Sequence, residues 1–147
     1  MGGAGNAAEV RQSSDAGLTG GGSNTTEISQ VTGSSATVFQ ESSSNLATID
    51  QVGAGSTAFV DQGFTALSDG NEADITQNGT DNFAAVEQGA SALGTNNIAT
   101  ITQDGNSNQS LVSQTGDMNS AIVNQTTDGN FSQITQGGSG NTLTVNQ

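Results

Sequence analysis

The stretch NIATITQDGNSNQSLVSQTGDMNSAIVNQ, residues 97–125, carries amide side chains at fixed intervals. Asparagine occurs at positions 97, 108 and 119, and glutamine occurs at positions 103, 114 and 125. Each of these asparagines stands six residues before a glutamine, and the next asparagine follows five residues later. Such regular spacing indicates an internal repeat, and internal repeats are the sequence signature of solenoids and arrays.

Aligning the chain on glutamine extends this pattern to twelve seven-residue units. The units are NAAEVRQ (6–12), NTTEISQ (24–30), SSATVFQ (34–40), NLATIDQ (45–51), STAFVDQ (56–62), NEADITQ (71–77), NFAAVEQ (82–88), NIATITQ (97–103), NQSLVSQ (108–114), NSAIVNQ (119–125), NFSQITQ (130–136) and NTLTVNQ (141–147). Position seven is Gln and position five is Val or Ile in every unit, while position one is Asn in ten units and Ser in two. This strictness predicts an ordered fold, although the polar, Gly-rich composition by itself is typical of disorder.

Composition excludes several functional classes. The 147 residues include 14 acids, one Arg and no Lys, His or Cys, for a net charge of −13. That charge argues against nucleic acid or an anionic membrane as partner, because both attract Lys and Arg. No apolar run approaches the roughly 18 residues of a membrane helix, so membrane insertion is not predicted. The start, MGGAGNAAEV, has no signal-peptide pattern, so we expect either an internal protein or a processed form.

The period inside each unit is two, which is typical of a β-strand with alternating faces. Positions one, three, five and seven carry no charged residue in any unit, whereas positions two, four and six carry eight. The odd-numbered positions are therefore predicted to face inward. The predicted core consists of the residues at position five: Val10, Ile28, Val38, Ile49, Val60, Ile75, Val86, Ile101, Val112, Val123, Ile134 and Val145.

The amides on this inward face need hydrogen-bond partners. If identical units stack about 4.8 Å apart, each amide can donate to one neighbour and accept from the other, as in cross-β ladders. The predicted glutamine ladder is Gln12, Gln30, Gln40, Gln51, Gln62, Gln77, Gln88, Gln103, Gln114, Gln125, Gln136 and Gln147. The predicted asparagine ladder is Asn6, Asn24, Asn45, Asn71, Asn82, Asn97, Asn108, Asn119, Asn130 and Asn141. The alternative is that these residues only cap strand ends as polar turn residues.

Three signals indicate that one rung is twenty-two residues rather than eleven. Position five prefers Val in odd-numbered units and Ile in even-numbered units. Both serine exceptions, Ser34 and Ser56, fall in odd units, and the long connectors 13–23, 63–70 and 89–96 all follow an odd unit. The predicted fold is therefore all-β: a β-solenoid of six strand–arc–strand rungs, forming two facing parallel in-register sheets of the cross-β amyloid type.

The pattern N/S-x5-Q-x4-N-x5-Q resembles the curlin repeat, the unit of curli fibres in bacterial biofilms. The resemblance covers residues 6–147 as six repeats: 6–30, 34–51, 56–77, 82–103, 108–125 and 130–147. The family's first strand usually opens with Ser, and here only Ser34 and Ser56 do so. The resemblance also implies an export-recognition region in the N-terminal segment 1–23, overlapping the first repeat strand.

The resemblance implies a structural subunit that assembles head to tail into extracellular functional amyloid fibres of the biofilm matrix, serving adhesion and surface colonisation. Its implied partners are other copies of itself, a minor-subunit nucleator, and a curli export pore with accessory factors. The implied location is a cell-surface fibre. The final unit, 141–147, has no capping segment after it in this sequence. We therefore expect an unpaired edge at which another copy can add.

The rival interpretation is a monomeric β-solenoid with a face that binds ice or glycans. Such a face needs a regular outward array, but the outward pairs Thr100/Thr102 and Thr142/Thr144 lie in different columns. No enzyme, cofactor or metal site is predicted, because the protein has no His or Cys to act as base, nucleophile or ligand. Acid pairs such as Glu72/Asp74 face solvent in this prediction, so we expect ordinary pKa values for them.

Overall fold

The protein is described by a computed structural model over residues 5–13, 23–63, 69–89 and 94–147. These ranges contain β-strands joined by arcs, and they contain no helix long and apolar enough to cross a membrane. The strands are β1 (Ala7–Ser13), β2 (Thr25–Gln30), β3 (Ser35–Glu41), β4 (Leu46–Gln51), β5 (Thr57–Gln62), β6 (Glu72–Gln77), β7 (Phe83–Gln88), β8 (Ile98–Gln103), β9 (Gln109–Thr115), β10 (Ser120–Gln125), β11 (Phe131–Gly137) and β12 (Thr142–Asn146).

The strands form two six-stranded parallel sheets. One sheet has the order β1-β3-β5-β7-β9-β11, and the other has the order β12-β10-β8-β6-β4-β2. Each strand therefore pairs with the strand two units further along the sequence, and one odd plus one even strand make a rung. This confirms the predicted all-β solenoid with a twenty-two-residue rung and two parallel sheets.

The register places identical unit positions beside one another. Between β5 and β7, for example, Val60 pairs with Val86 and Gln62 with Gln88. Among the strand pairs of the described ranges, none is shifted by one residue, and such a shift would turn the whole inward set to solvent. In-register stacking therefore follows from the alternation already visible in the sequence.

The core is a thin apolar layer between the two sheets. Strands β3 to β10 alternate between buried inward and more exposed outward residues, because the side-chain period of a strand is two. The position-five residues of β3 to β11 are all buried, and most position-three residues are buried alanines. At the ends of the solenoid, Ile28 and Val145 are only partly buried and Val10 is 45% exposed. These three residues lie on the edge strands β1, β2 and β12, so they are covered by a neighbouring strand on one side only.

Arcs of three or four residues connect most of the seven-residue units, and these arcs also stack. Backbone bonds join equivalent arcs of neighbouring rungs, for example Asp81 N–H to the Ala54 carbonyl at 3.0 Å and Ser107 N–H to the Thr80 carbonyl at 2.9 Å. Parts of the predicted N-terminal segment and of the long connectors lie outside the described residues, namely 1–4, 14–22, 64–68 and 90–93.

Candidate functional site: the stacked amide rungs

Glutamine side chains form one continuous column along each sheet. In the odd-strand sheet, each Nε2 donates to the Oε1 of the glutamine one rung nearer the C-terminus, at 2.7–2.9 Å, through Gln12, Gln40, Gln62, Gln88, Gln114 and Gln136. In the even-strand sheet the same bond spans 2.8–3.0 Å through Gln30, Gln51, Gln77, Gln103, Gln125 and Gln147. All of these bonds point in the same direction, so the solenoid has a polarity along its axis.

The second hydrogen of the glutamine amide reaches the facing sheet. Gln77 donates to the carbonyl of Thr57 at 3.2 Å, and Gln88 donates to the carbonyl of Glu72 at 2.8 Å. The same bond recurs in every glutamine of the two columns after Gln12. Both amide hydrogens are therefore satisfied in a side chain that is fully buried in the middle rungs. This link between the sheets was not predicted from the sequence, and its one signal there is that Gln closes every seven-residue unit.

The asparagines at strand starts join an arc to the neighbouring rung. Asn82 Oδ1 accepts the backbone N–H of Asn108 at 2.9 Å, and Asn82 Nδ2 donates to the carbonyl of Gly105 at 2.8 Å. In the even-strand sheet an amide-to-amide bond is added, as from Asn119 Nδ2 to Asn97 Oδ1 at 3.1 Å. The ladder and the strand-end cap, which were alternatives from the sequence, are thus combined in one side chain.

Towards the C-terminal end of the solenoid, one buried amide nitrogen donates no hydrogen bond. Asn108 Nδ2 is the only buried side-chain nitrogen or oxygen without a hydrogen-bond partner in the part of the protein that the structure describes. One rung earlier, Asn82 Nδ2 binds the carbonyl of Gly105. The matching carbonyl in the next arc is that of Thr127, and it accepts a bond from Asn130 at 2.9 Å instead. The last rungs therefore depart from the bonding pattern of the middle ones.

The residue just before a strand's first amide or serine usually has a left-handed backbone. Positive φ values of 46–110° occur there at Gly5, Gly33, Ser44, Gly55, Gly70, Asp81, Asn96, Ser107, Met118, Gly129 and Gly140. Glycine adopts this conformation readily, whereas a residue with a Cβ does so at a cost of about 1 kcal/mol. The composition of these segments predicts turns, but it does not indicate the backbone position that they share.

A column of glycines in the arcs leaves no room for side chains. A Cβ added to Gly53 would overlap the carbonyl oxygen of Gly79, and one added to Gly79 would overlap the carbonyl oxygen of Gly105. The arcs that contain Gly53 and Gly79 can therefore stack on the next rung only because these two positions carry no side chain. The sequence signal is the glycine at the second arc position in VGAG, NGTD and DGNS.

The outward faces carry acids stacked on acids. Burial raises the pKa of Asp61, and the nearby carboxylates of Glu87 and Glu41 raise it further. Asp61 and Glu87 are direct neighbours across β5 and β7. Burial also raises the pKa of Asp74, with a further contribution from Asp50. The expectation of an ordinary pKa was therefore wrong for Asp74, because neighbouring side chains on the sheet withdraw the carboxyl from solvent.

The end rungs differ from the middle ones in exposure. Every residue of β1 is exposed, and all of β12 is exposed apart from the partly buried Val145. Among the described residues, no strand pairs with the outer edges of β1 and β2 or of β11 and β12. Each end therefore presents two strand edges and the last members of the amide columns.

These features define a class of protein: a parallel β-solenoid built from strand–arc–strand repeats with stacked glutamine and asparagine. The curlin associated repeat matches residues 32–63, 69–92 and 94–126, which together make up more than half of the sequence. The chain therefore belongs to the curlin repeat family, as its sequence pattern indicated, and is a curli-type structural subunit. Comparison with curated proteins and with solved structures found no match.

The family is one of structural amyloid subunits rather than enzymes. Within the described ranges, no group of three or more His, Cys, Asp or Glu side chains is arranged to hold a metal ion. What the end rungs present is unpaired backbone edges and the last members of the amide columns.

Proposed function

We propose that this protein polymerises head to tail into extracellular curli-type amyloid fibres of a biofilm matrix. The observation that carries the proposal is the state of the two ends. Each end exposes sheet edges in the same register as every internal rung. An unpaired sheet edge is a site at which another molecule adds strands.

The direction of the glutamine bonds supports head-to-tail addition. Gln136 and Gln147 are the last members of their columns, while Gln12 and Gln30 accept no ladder bond from the described residues. When the N-terminal rung of one copy stacks on the C-terminal rung of another, the side-chain nitrogens of Gln136 and Gln147 face the side-chain oxygens of Gln12 and Gln30. A head-to-head contact would bring like groups of the two amides together. Repeated head-to-tail contacts do not close, and so they generate a filament.

The thin core gives a reason for polymerisation. Inward side chains are mostly Ala, Val and Ile, and those of the end rungs are covered on one side only. Stacking another copy completes the burial of Val10, which is 45% exposed, and of Leu143, which is 44% exposed. Each added subunit of six rungs extends the fibre by about 29 Å at the strand spacing.

Membership of the curlin repeat family supports a biological setting for this proposal. As a curli-type subunit, the protein is exported through an outer-membrane pore with accessory factors and nucleated by a minor subunit at the cell surface. The fibres serve adhesion and surface colonisation. Residues 1–23 are the proposed export-recognition region, and residues 6–147 form the six repeats of the fibre core.

Two neighbouring substitutions on β12 test the assembly mechanism. Val145→Lys places a charge on the inward side of the last rung, whereas Thr144→Lys places the same charge on the exposed outward side. We expect Thr144→Lys to form fibres with a lag shortened by preformed seeds. We expect Val145→Lys to fold but not to elongate. The measurements are thioflavin-T kinetics on desalted monomer and negative-stain microscopy.

The wild-type protein supplies the control. If it remains a β-rich monomer that is indifferent to seeds, polymerisation is not its function. The monomeric binding solenoid would then be favoured. If both lysine variants elongate equally, the rung face at β12 is not the growing surface.

A further inference from the structure

Asn78 is the only asparagine in the sequence that is followed by glycine. It lies at the start of the arc 78–81 between β6 and β7, and it is exposed to solvent. Gly79 lacks a Cβ, so its backbone nitrogen can approach the side chain of the preceding residue with little hindrance. This pair therefore has the chemistry for spontaneous deamidation.

The folded arc holds Asn78 at both its backbone and its side chain. Its backbone N–H donates to the carbonyl of Gln103 at 2.9 Å. Its Nδ2 donates to Asp104 Oδ1 at 2.6 Å, a short bond strengthened by the carboxylate charge. Both partners belong to the next rung, so Asn78 is fixed only when rungs are stacked.

Deamidation exchanges the side-chain amide for a carboxylate without any redox step. The Gly79 nitrogen loses its proton to solvent and forms a bond to Asn78 Cγ, and the Cγ–Nδ2 bond breaks with release of ammonia. Water then opens the resulting succinimide. Cleavage between Cγ and the Gly79 nitrogen yields aspartate. Cleavage between the Asn78 carbonyl carbon and the same nitrogen yields isoaspartate, in which the backbone continues through Cγ.

Neither product fits the stacked arc. Aspartate at position 78 puts a carboxylate against Asp104 and removes the donor of the 2.6 Å bond. Like charges at this separation repel. Isoaspartate adds a methylene to the backbone beside Gly79, where even a Cβ overlaps the Gly105 carbonyl and where Gly53 packs from the other side.

We propose that Asn78 is a self-modification site that separates fresh molecules from aged ones. The unfolded protein deamidates at Asn78, a stacked rung protects it, and a modified molecule no longer stacks that rung. The modification and its effect on folding stand independently of the proposed function. Only the exclusion of modified molecules from fibres rests on it.

The first experiment compares deamidation rates in the unfolded and folded full-length protein. The protein is incubated at mildly alkaline pH with and without guanidinium, and deamidation is followed by peptide mapping with mass spectrometry. Asn106 is an internal control, because it is also an exposed arc residue bonded to a carboxylate, Asp128, but is followed by Ser107.

We expect Asn78 to react about tenfold faster or more in the unfolded protein, because the reaction in the folded protein requires the arc to open. We also expect Asn78 to react faster than Asn106 in the unfolded protein. Equal rates for Asn78 in the two states, or for Asn78 and Asn106 in the unfolded protein, would overturn the proposal.

The second experiment tests the product. Asn78→Asp is compared with Gln133→Asp, which adds the same charge on the outward face of β11 opposite Leu111. Refolding from denaturant is measured by circular dichroism. We expect slowed refolding for Asn78→Asp alone and partial rescue by adding Asp104→Ser, whose hydroxyl can donate to the new carboxylate.

The two readouts separate this proposal from the proposed function. If Asn78→Asp refolds like Gln133→Asp, the exclusion of aged molecules is wrong whatever the fibres do. If the refolding defect and its rescue are seen but the wild type forms no fibres, the modification site stands and the proposed function fails.

Discussion

Replacing the buried Gln88 by glutamate tests whether the amide column stabilises the solenoid. Gln88 Nε2 donates to Gln114 Oε1 at 2.9 Å, to the Glu72 carbonyl at 2.8 Å and to the Asn97 carbonyl at 3.1 Å, while Gln88 Oε1 accepts from Gln62 at 2.9 Å. Glutamate has nearly the same shape and keeps the acceptor. When ionised, glutamate has no hydrogen to donate, so the oxygens that accepted hydrogen bonds from Gln88 now face a carboxylate.

The expected cost follows from counting the groups left without a donor. Gln114 Oε1 and the carbonyls of Glu72 and Asn97 lose their bonds from Gln88. The Asn97 carbonyl still accepts the backbone N–H of Glu72 at 2.8 Å, so two groups are counted, and each unsatisfied buried group costs about 1–3 kcal/mol. The loss is therefore about 2–6 kcal/mol before the cost of burying the charge is added. A domain of this size has a free energy of unfolding of about 5–15 kcal/mol. We expect the Gln88→Glu protein to be largely unfolded, or close to it, at neutral pH.

The same substitution makes stability depend on pH. Burial raises the pKa of the new carboxyl in the folded protein above its unfolded value of about 4.3. The folded state therefore binds the proton more tightly. Stability falls by up to about 1.4 kcal/mol for each pH unit as pH rises from the unfolded pKa to the folded one, and it recovers as pH falls again.

Urea unfolding followed by circular dichroism, from pH 4 to pH 8 and at concentrations too low for fibres, measures both effects. The matched control is Gln109→Glu, the same change on the exposed outward side of β9. We expect the control to behave like the wild type. Similar losses and similar pH profiles for the two variants would refute the view that the buried column stabilises the fold.

Three smaller perturbations test the outer face and the arcs. Asp61→Asn should raise stability at neutral pH by up to about 1 kcal/mol, because the raised pKa of Asp61 means that its charged form is disfavoured beside Glu87 in the folded protein. Wild-type stability should correspondingly increase as pH falls through the folded pKa of Asp61, and urea titrations should show a flatter pH profile for the variant. Met118→Gly should raise the free energy of unfolding by about 1 kcal/mol, because Met118 is 63% exposed and has a φ of 56°; an unchanged urea midpoint would contradict this reasoning. Gly79→Ala should prevent the arcs from stacking. Gly137→Ala should be tolerated, because a Cβ at position 137 would meet only a side-chain oxygen at 3.6 Å. Thermal melts of the two variants distinguish these outcomes.

The architecture could be predicted because the inward face is defined at every second residue. Val60 and Val86 pair across neighbouring rungs, as do Gln62 and Gln88. A one-residue shift would turn charges inward, and a two-residue shift would separate the glutamines from one another. The twenty-two-residue rung was also predictable, since the preference for Val or Ile and the long connectors both alternate between odd and even units. Local pattern and global fold agree throughout these strands.

The environment of the outward acids could not be predicted in the same way. Alternation indicated that Asp74 faces solvent, but solvent access depends on the side chains above and below it in the stack. Burial there raises its pKa. A pattern along one strand contains no information on how closely the next rung covers a carboxylate.

The sequence by itself determined that the protein is a stacked β-solenoid, which residues face inward, and which family it belongs to. These properties depend on a short-range alternation that recurs unchanged in every unit. Only the tertiary structure decided the direction of the glutamine bonds and the second amide hydrogen bond, which joins Gln77 to Thr57 across the sheets. It also decided that the stacked arc positions through Gly79 have no room for a side chain. Those features arise between residues that are neighbours only after the backbone has turned through an arc, because a hydrogen bond is set by distance and angle in space.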